Sequence, residues 1–216
     1  MVLGIYGAGG LGREVLDLAC LINKQENRWE QIIFIADSAK EEKVNGIFVY
    51  SFDEALITFK HNIEIIIGVG EPATREKLFN RIKEKGVSLP VLIHPGVSVP
   101  STTIVGEGSV IQCGCFVSCN ARIGENVYVQ PHVNIGHDDI ILDGAVISGM
   151  ANLAGHVSIG EYTYVGLSAA IKEGVKVGSN SIIGMYSAVY KDVDDGVVAM
   201  GNPARVMKNN EDRRVF

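Results

Sequence analysis

The sequence has no basic patch. Its 19 Lys and Arg are outnumbered by 25 Asp and Glu, the formal net charge is −6, and no basic run is longer than Arg213-Arg214. That argues against a surface that neutralises nucleic-acid phosphates. No apolar stretch approaches the ~20 residues of a membrane span. The start, Met1-Val2-Leu3-Gly4-Ile5-Tyr6-Gly7, lacks the basic n-region and long apolar core of a secretory signal. Cysteine is sparse: Cys20, Cys113, Cys115 and Cys119 have no secretory context and are expected to be reduced thiols. A soluble, cytoplasmic protein is expected, with neither nucleic acid nor membrane as partner. Glycine, by contrast, is plentiful, at 25 of 216 residues, which suits many tight turns. The length allows one or two domains with a buried core.

Residues 1–92 read as a small Rossmann-like α/β domain. Val2–Tyr6 is a short apolar run, followed by Gly7-Ala8-Gly9-Gly10-Leu11-Gly12 and then by Val15, Leu18, Ala19 and Ile22 at helical spacing. Strand, glycine turn and helix are the context in which G-x-G-x-x-G carries meaning. A second strand, 31–36, ends at Asp37, and a third, 63–69, ends in Gly68-Val69-Gly70 before a helix from Ala73 to about Lys85. Val91-Leu92-Ile93 is expected as the last strand of the unit. Ligands bind such folds at the carboxyl ends of the strands. The Gly9 and Gly10 amides at a helix N-terminus suit a phosphate, Asp37 can accept from a ribose or base, and Gly68 lies in the adjoining loop. The competing reading is that these glycines only allow a strand and a helix to approach closely. Nicotinamide chemistry is disfavoured, because it normally needs both mononucleotide halves.

Residues 93–216 repeat every six. From Ile93 to Val189, all seventeen positions six apart are aliphatic, and the register is unbroken. Four residues after each, from Val97 to Val193, the side chain is small or β-branched except at Asp139. Neither an α-helix nor an alternating strand has this period. Hexapeptide repeats mark a β-helix, in which three hexads make one coil and residues 18 apart stack. Gly106, Gly124, Asn126, Gly160, Gly178 and Asn180 are expected to allow the bends.

The pattern breaks at Asn134-Ile135-Gly136-His137-Asp138-Asp139. A carboxylate at a semi-buried corner is costly without a partner, and local violations of a folding pattern point to function. A histidine suits proton removal near neutral pH, and a neighbouring carboxylate can orient it. A surface histidine in a turn fits these residues equally well. His94, before Pro95, reads as a turn residue, and His61 as a solvated one.

Taken together, the glycine-turn α/β unit, the β-helix and the terminal Gly201-Asn202-Pro203-Ala204-Arg205 resemble the sugar O/N-acyltransferases. That group includes sialic-acid O-acetyltransferases and bacterial N-acetyltransferases of nucleotide-linked 4-amino-deoxysugars. The resemblance runs from about Val2 to Met207 and implies a left-handed helix. It implies acetyl-CoA as cosubstrate, a nucleotide-linked aminosugar as acceptor, His137 as general base with Asp138 as its partner, and a homotrimer of adjacent prisms. The pantetheine arm would lie in the groove between prisms, against Gly155, Leu167 and Met185 as one groove wall.

Two departures bear on this. Relatives carry a second histidine nine residues after the base, where this chain has Val146; the Gly155 amide or His156 is a candidate substitute. Gly70-Glu71-Pro72 replaces a Gly-Asp/Asn-Asn turn and keeps an O-acetyltransferase open as the second reading. A third is a non-catalytic or zinc-dependent β-helix. His132 near His137 evokes the β-helix carbonic anhydrases, but such a site needs three nitrogen ligands. The residues one coil below and above His137 are Cys119 and Gly155, with His156 over Asp138, so no resident metal is expected.

Overall fold

The structure is a computed structural model and describes residues 1–38 and 41–215. Its first element, β1 (Val2–Tyr6), is buried throughout. The glycine turn then opens α1 (Gly10–Glu26). β2 (Gln31–Ile35), β3 (Lys43–Val44), β4 (Ile47–Tyr50), α2 (Phe52–Phe59), β5 (Ile63–Ile67) and α3 (Pro72–Glu84) follow. The sheet order is β3-β4-β2-β1-β5, parallel except for the β3–β4 hairpin. The hairpin and α2 are additions to the expected unit. Ser51 and Glu54 close a reciprocal capping box at the start of α2, a signature present in the sequence.

β6 (Leu92–Ile93) corrects one expectation. It does not join the α/β sheet but pairs with Val110–Ile111 as the first rung of the β-helix. From there two-residue strands stack in three parallel sheets, forming the left-handed parallel β-helix. One face carries Val110, Tyr128 and Val146, buried against the α/β unit with α1 residues such as Leu16; we call it the covered face. The second face carries Phe116, Asn134, Asn152, Ala170 and Ala188, and the third carries Ile104, Arg122, Ile140, Ser158 and Lys176. The aliphatic hexad series fills the interior, fully packed from Ile111 onward and partly open at Ile93, Val99 and Val105.

The bends follow a different chemistry from the one expected of glycine. Asn126 and Asn180 do adopt left-handed φ, but so do His132, Asp138, Met150, His156, Tyr162 and Tyr186. The coil imposes this conformation at a fixed phase, against the preference of most side chains. Gly106, Gly124, Gly160 and Gly178 are instead required by close stacking: a Cβ on Gly160 would stand 2.3 Å from Ser179 N, and one on Gly106 2.5 Å from Gly124 C.

Arg75 of α3 pins the two parts together. It is fully buried, donates to the carbonyls of Ile67 and Val69 at the end of β5, and reaches the Asn126 carbonyl and Oδ1 on the β-helix. Its guanidinium lies over the Tyr128 ring, and burial lowers its pKa to about 10. The chain end folds back onto α3 as well, through Arg213–Glu76 at 2.6 Å and the Val215 N–H to the Glu71 carboxylate.

Candidate active site

The corner between the second and third faces brings together residues from three consecutive coils. Backbone bonds from Asp138 N to Cys119 O and from His156 N to His137 O tie the turns one above another. Asn120, Asp138 and His156 occupy the same left-handed position in this column, with φ of 60°, 59° and 60°. His137 Nδ1 lies 2.8 Å from Asp138 Oδ2. An ionised carboxylate can only accept, so Nδ1 carries the proton and Nε2 presents a lone pair. Asn120 Nδ2 holds the other carboxylate oxygen at 3.2 Å. His156 approaches from above, its Nε2 3.9 Å from Asp138 Oδ2 and its ring edge-on to that of His137 at 5.0 Å. Hydrogen bonds from His137 and then Asn120 hold the Asp138 carboxyl below its ordinary value. Gly155 makes room for the imidazole: a Cβ there would lie 2.5 Å from both His137 Cε1 and Nε2.

Asp139, the residue that broke the hexad rule, faces the other way. It is fully buried, and its two oxygens accept the N–H of Gly136 at 2.7 Å and of Val157 at 2.8 Å. Burial pushes its carboxyl up to about 6 against the pull of these two bonds. Thr103, Ser109 and Thr163 each accept a backbone N–H from the coil above in the same manner. Asp139 is therefore a larger version of a structural device, and it fixes the turn that carries His137.

A second candidate region lies at the carboxyl ends of β1 and β2. A cavity of about 530 Å³ is lined by Gly7, Ala8, Gly9, Asp37 and Val69, among others. An added Cβ would meet nothing within 4 Å at Gly9 or Gly10, so packing does not require glycine there. The N-terminus of α1 has no side-chain cap, leaving its first amides to a ligand. Gly12 and Gly68 follow the packing reading: their added Cβ atoms would stand 1.8 Å from Gly7 O and 2.7 Å from Gly12 Cα. Gly68 packs just past the end of β5 against α1, a packing reason for glycine at this position. Asp37 is held by Tyr6 Oη, the Phe52 N–H and Arg81. Its burial favours the neutral form, but these bonds outweigh it and keep the carboxyl below its ordinary value. Arg81 also lies over the Phe52 ring.

The three positions expected along one groove wall separate. Leu167 and Met185 stack at the corner between the covered and second faces and line an apolar groove of about 370 Å³ with Ile182, Met200 and Val215. Gly155 sits at the next corner, with His137. A coil takes 18 residues, so the 12-residue step from Gly155 to Leu167 crosses a face; only the 18-residue step stays in one column. Val146 is buried against the α/β unit, so no group at that position reaches the His137 corner. Asn120, Tyr6 and Arg81 were not singled out from sequence. Asn120 stood 18 residues before Asp138 and was legible from the coil length; Tyr6 and Arg81 come from distant segments and carried no signal. His94 is a turn residue as expected, its Nδ1 accepting the Gly96 N–H. Among the described residues no helix is long and apolar enough to cross a membrane.

A family model described as the PglD N-terminal domain matches residues 2–82. The GDP-perosamine N-acetyltransferase of Escherichia coli O157:H7 is 31% identical over 213 residues, covering 96% of this chain and 96% of that protein. The acetyltransferase domain of PglB from Neisseria gonorrhoeae FA1090 has a TM-score of 0.89 at 29% identity, over 95% of this chain and 99% of that one. It has also been solved with acetyl coenzyme A. PerB from Caulobacter crescentus, solved with CoA and GDP-perosamine, has a TM-score of 0.86 at 25% identity, over 96% of this chain and 97% of that one. The perosamine N-acetyltransferase of that organism has also been solved with one histidine replaced by asparagine or alanine.

Proposed function

The chain belongs to the hexapeptide-repeat sugar N-acetyltransferases, and we propose that it moves the acetyl group of acetyl-CoA directly to the amine of a nucleotide-linked 4-amino-4,6-dideoxysugar. The observation that carries this reading is the His137–Asp138 pair, with the His137 side chain half exposed and the Gly155 backbone against the ring.

The amine nitrogen attacks the thioester carbonyl, and a C–N bond forms. His137 Nε2 takes the proton that the nitrogen must lose, and Asp138 stabilises the resulting imidazolium. The Gly155 N–H is the candidate donor to the oxyanion. The C–S bond then breaks, and CoA leaves as thiolate to be protonated.

In this proposal the α/β unit, residues 1–92, binds the nucleotide, with Gly9 and Gly10 at the diphosphate and Asp37 at the ribose or base. Leu167 and Met185 line the pantetheine path on one prism, while Gly155 meets the thioester at another corner. One pantetheine arm that touches both corners has to lie between neighbouring prisms, which supports a homotrimer as the working unit. Phe116 at 60%, Met185 at 69% and Tyr186 at 70% exposure supply apolar surface for such contacts. No resident metal enters the mechanism.

Thiol release from acetyl-CoA, measured against GDP-, UDP- and dTDP-linked 4-amino sugars and their 4-hydroxy counterparts, tests the acceptor class. Turnover only with amines supports the reading; turnover only with a hydroxyl acceptor or free sialic acid overturns it in favour of O-acetylation.

A further inference from the structure

We infer that His137, Asp138 and His156 form an exchangeable site for a divalent transition-metal ion of the zinc type, and that the bound ion switches acetyl transfer off. The inhibitory half rests on the proposed role of His137; the binding half does not.

One ligand atom from each of the three residues lies within 4.8 Å of the other two, and this is the one such group of His, Cys, Asp or Glu among the described residues. Around tetrahedral zinc, with bonds of roughly 2.0–2.2 Å, neighbouring ligand atoms stand about 3.3–3.6 Å apart. Asp138 Oδ2 is 2.8 Å from His137 Nδ1 and 3.9 Å from His156 Nε2, so the observed spacings bracket that value. The third pair, His137 and His156, lies within 4.8 Å, so shifts on the order of 1 Å in these side chains close the site. All three have the freedom and access to make them, being 50%, 38% and 57% exposed, and water can fill the remaining position.

The backbone below these side chains is already in place. The turns that carry them are adjacent coils, joined by the His156 N–H to the His137 carbonyl at 2.9 Å. Asn120 Nδ2 on Asp138 Oδ1 orients the carboxylate from the coil beneath, as an outer-shell donor does in metal sites. Two imidazoles and one carboxylate select zinc, nickel or copper over magnesium or calcium, which favour all-oxygen sites.

Bound metal has a definite consequence for the pair. It replaces the proton on His137 Nδ1 and holds Asp138 Oδ2, so the neutral ring carries its one proton on Nε2 and has no lone pair left to accept another. Metal and turnover therefore exclude each other, and the site acts as a brake rather than as part of the catalyst.

The full-length protein, stripped with EDTA and dialysed, is titrated with ZnCl₂ against a chromophoric chelator, with MgCl₂ as control. The expected result is one zinc ion per chain, no competition by magnesium, and about 10-fold or more weaker binding in His156→Asn. Asparagine accepts the left-handed conformation at that position, as Asn120 shows in the same column, so this variant keeps the fold. In the acetyl-transfer assay, zinc should silence the wild-type protein and EDTA should restore it. Measured against its own metal-free rate, His156→Asn should need about 10-fold or more zinc for the same fractional inhibition. Sub-stoichiometric zinc, or affinity unchanged in His156→Asn, overturns the site. Stoichiometric binding with no loss of turnover overturns the brake. Absence of turnover in metal-free wild-type protein with every aminosugar would count against the proposed function and leave the binding result standing.

Discussion

Val157 donates its backbone N–H to Asp139 Oδ1 at 2.8 Å, one coil above it. That bond and the Gly136 N–H on Oδ2 hold the turn that presents His137. Asp139→Ala leaves two buried donors unpaired at about 1–3 kcal/mol each, and Tm should fall by roughly 5–15 °C. Asp139→Asn keeps one acceptor oxygen and should lose less. Thermal melts of both at neutral pH check the order; an alanine variant as stable as wild type would show that the turn does not depend on these bonds.

The same residue has a pH signature. Its folded carboxyl sits at about 6, above the ~3.9 of an unfolded aspartate. The folded state thus binds the proton more tightly, and this contribution is complete below about pH 4 and lost as pH rises through about 6. The stability of wild type relative to Asp139→Asn should accordingly decline between pH 4 and 6. A flat difference across that window in urea titrations contradicts the assignment.

Gly155 is predicted to be intolerant of any side chain. The methyl of Gly155→Ala would stand 2.5 Å from His137 Cε1 and Nε2, so the ring has to turn out of line. A displacement of that size costs on the order of 10²-fold in rate. Circular dichroism should be unchanged, because the neighbour that gives way is a side chain. Normal kcat in Gly155→Ala would separate His137 from the reaction geometry described above.

At the nucleotide end, Asp37→Ala should raise KM for the sugar nucleotide about 10-fold or more, the loss of a charged hydrogen bond, with kcat and the acetyl-CoA KM nearly unchanged. Arg81→Ala should act in the same direction by freeing Asp37. Gly68→Ala serves as the contrast: it should lower stability through its 2.7 Å clash with Gly12 Cα. A fall in kcat with constant KM in Asp37→Ala would remove it from binding.

The hexad period was legible because every coil repeats the same packing problem: an aliphatic side chain inside, a small one at the corner. The period also located the His137 corner, since 18-residue stacking places Asn120, Asp138 and His156 in one column. Asp139 was visible as an anomaly, but its meaning was not, because a carboxylate doing the work of Thr163 looks the same in sequence as a catalytic one. β6 was misplaced for a related reason: three apolar residues suit either a buried parallel strand or the first rung of a β-helix. The Tyr6–Asp37–Arg81 cluster joins three distant segments, and no spacing rule reaches that far.

The most direct test of the account is kcat/KM for an amine-bearing nucleotide sugar, measured from about pH 6 to 9.5 in wild type and His137→Asn. The account predicts a loss of ~10²–10⁴-fold in the variant near neutral pH. It also predicts partial recovery as pH rises and more of the amine is free without the base. Wild-type rates in the variant across the whole range would contradict it.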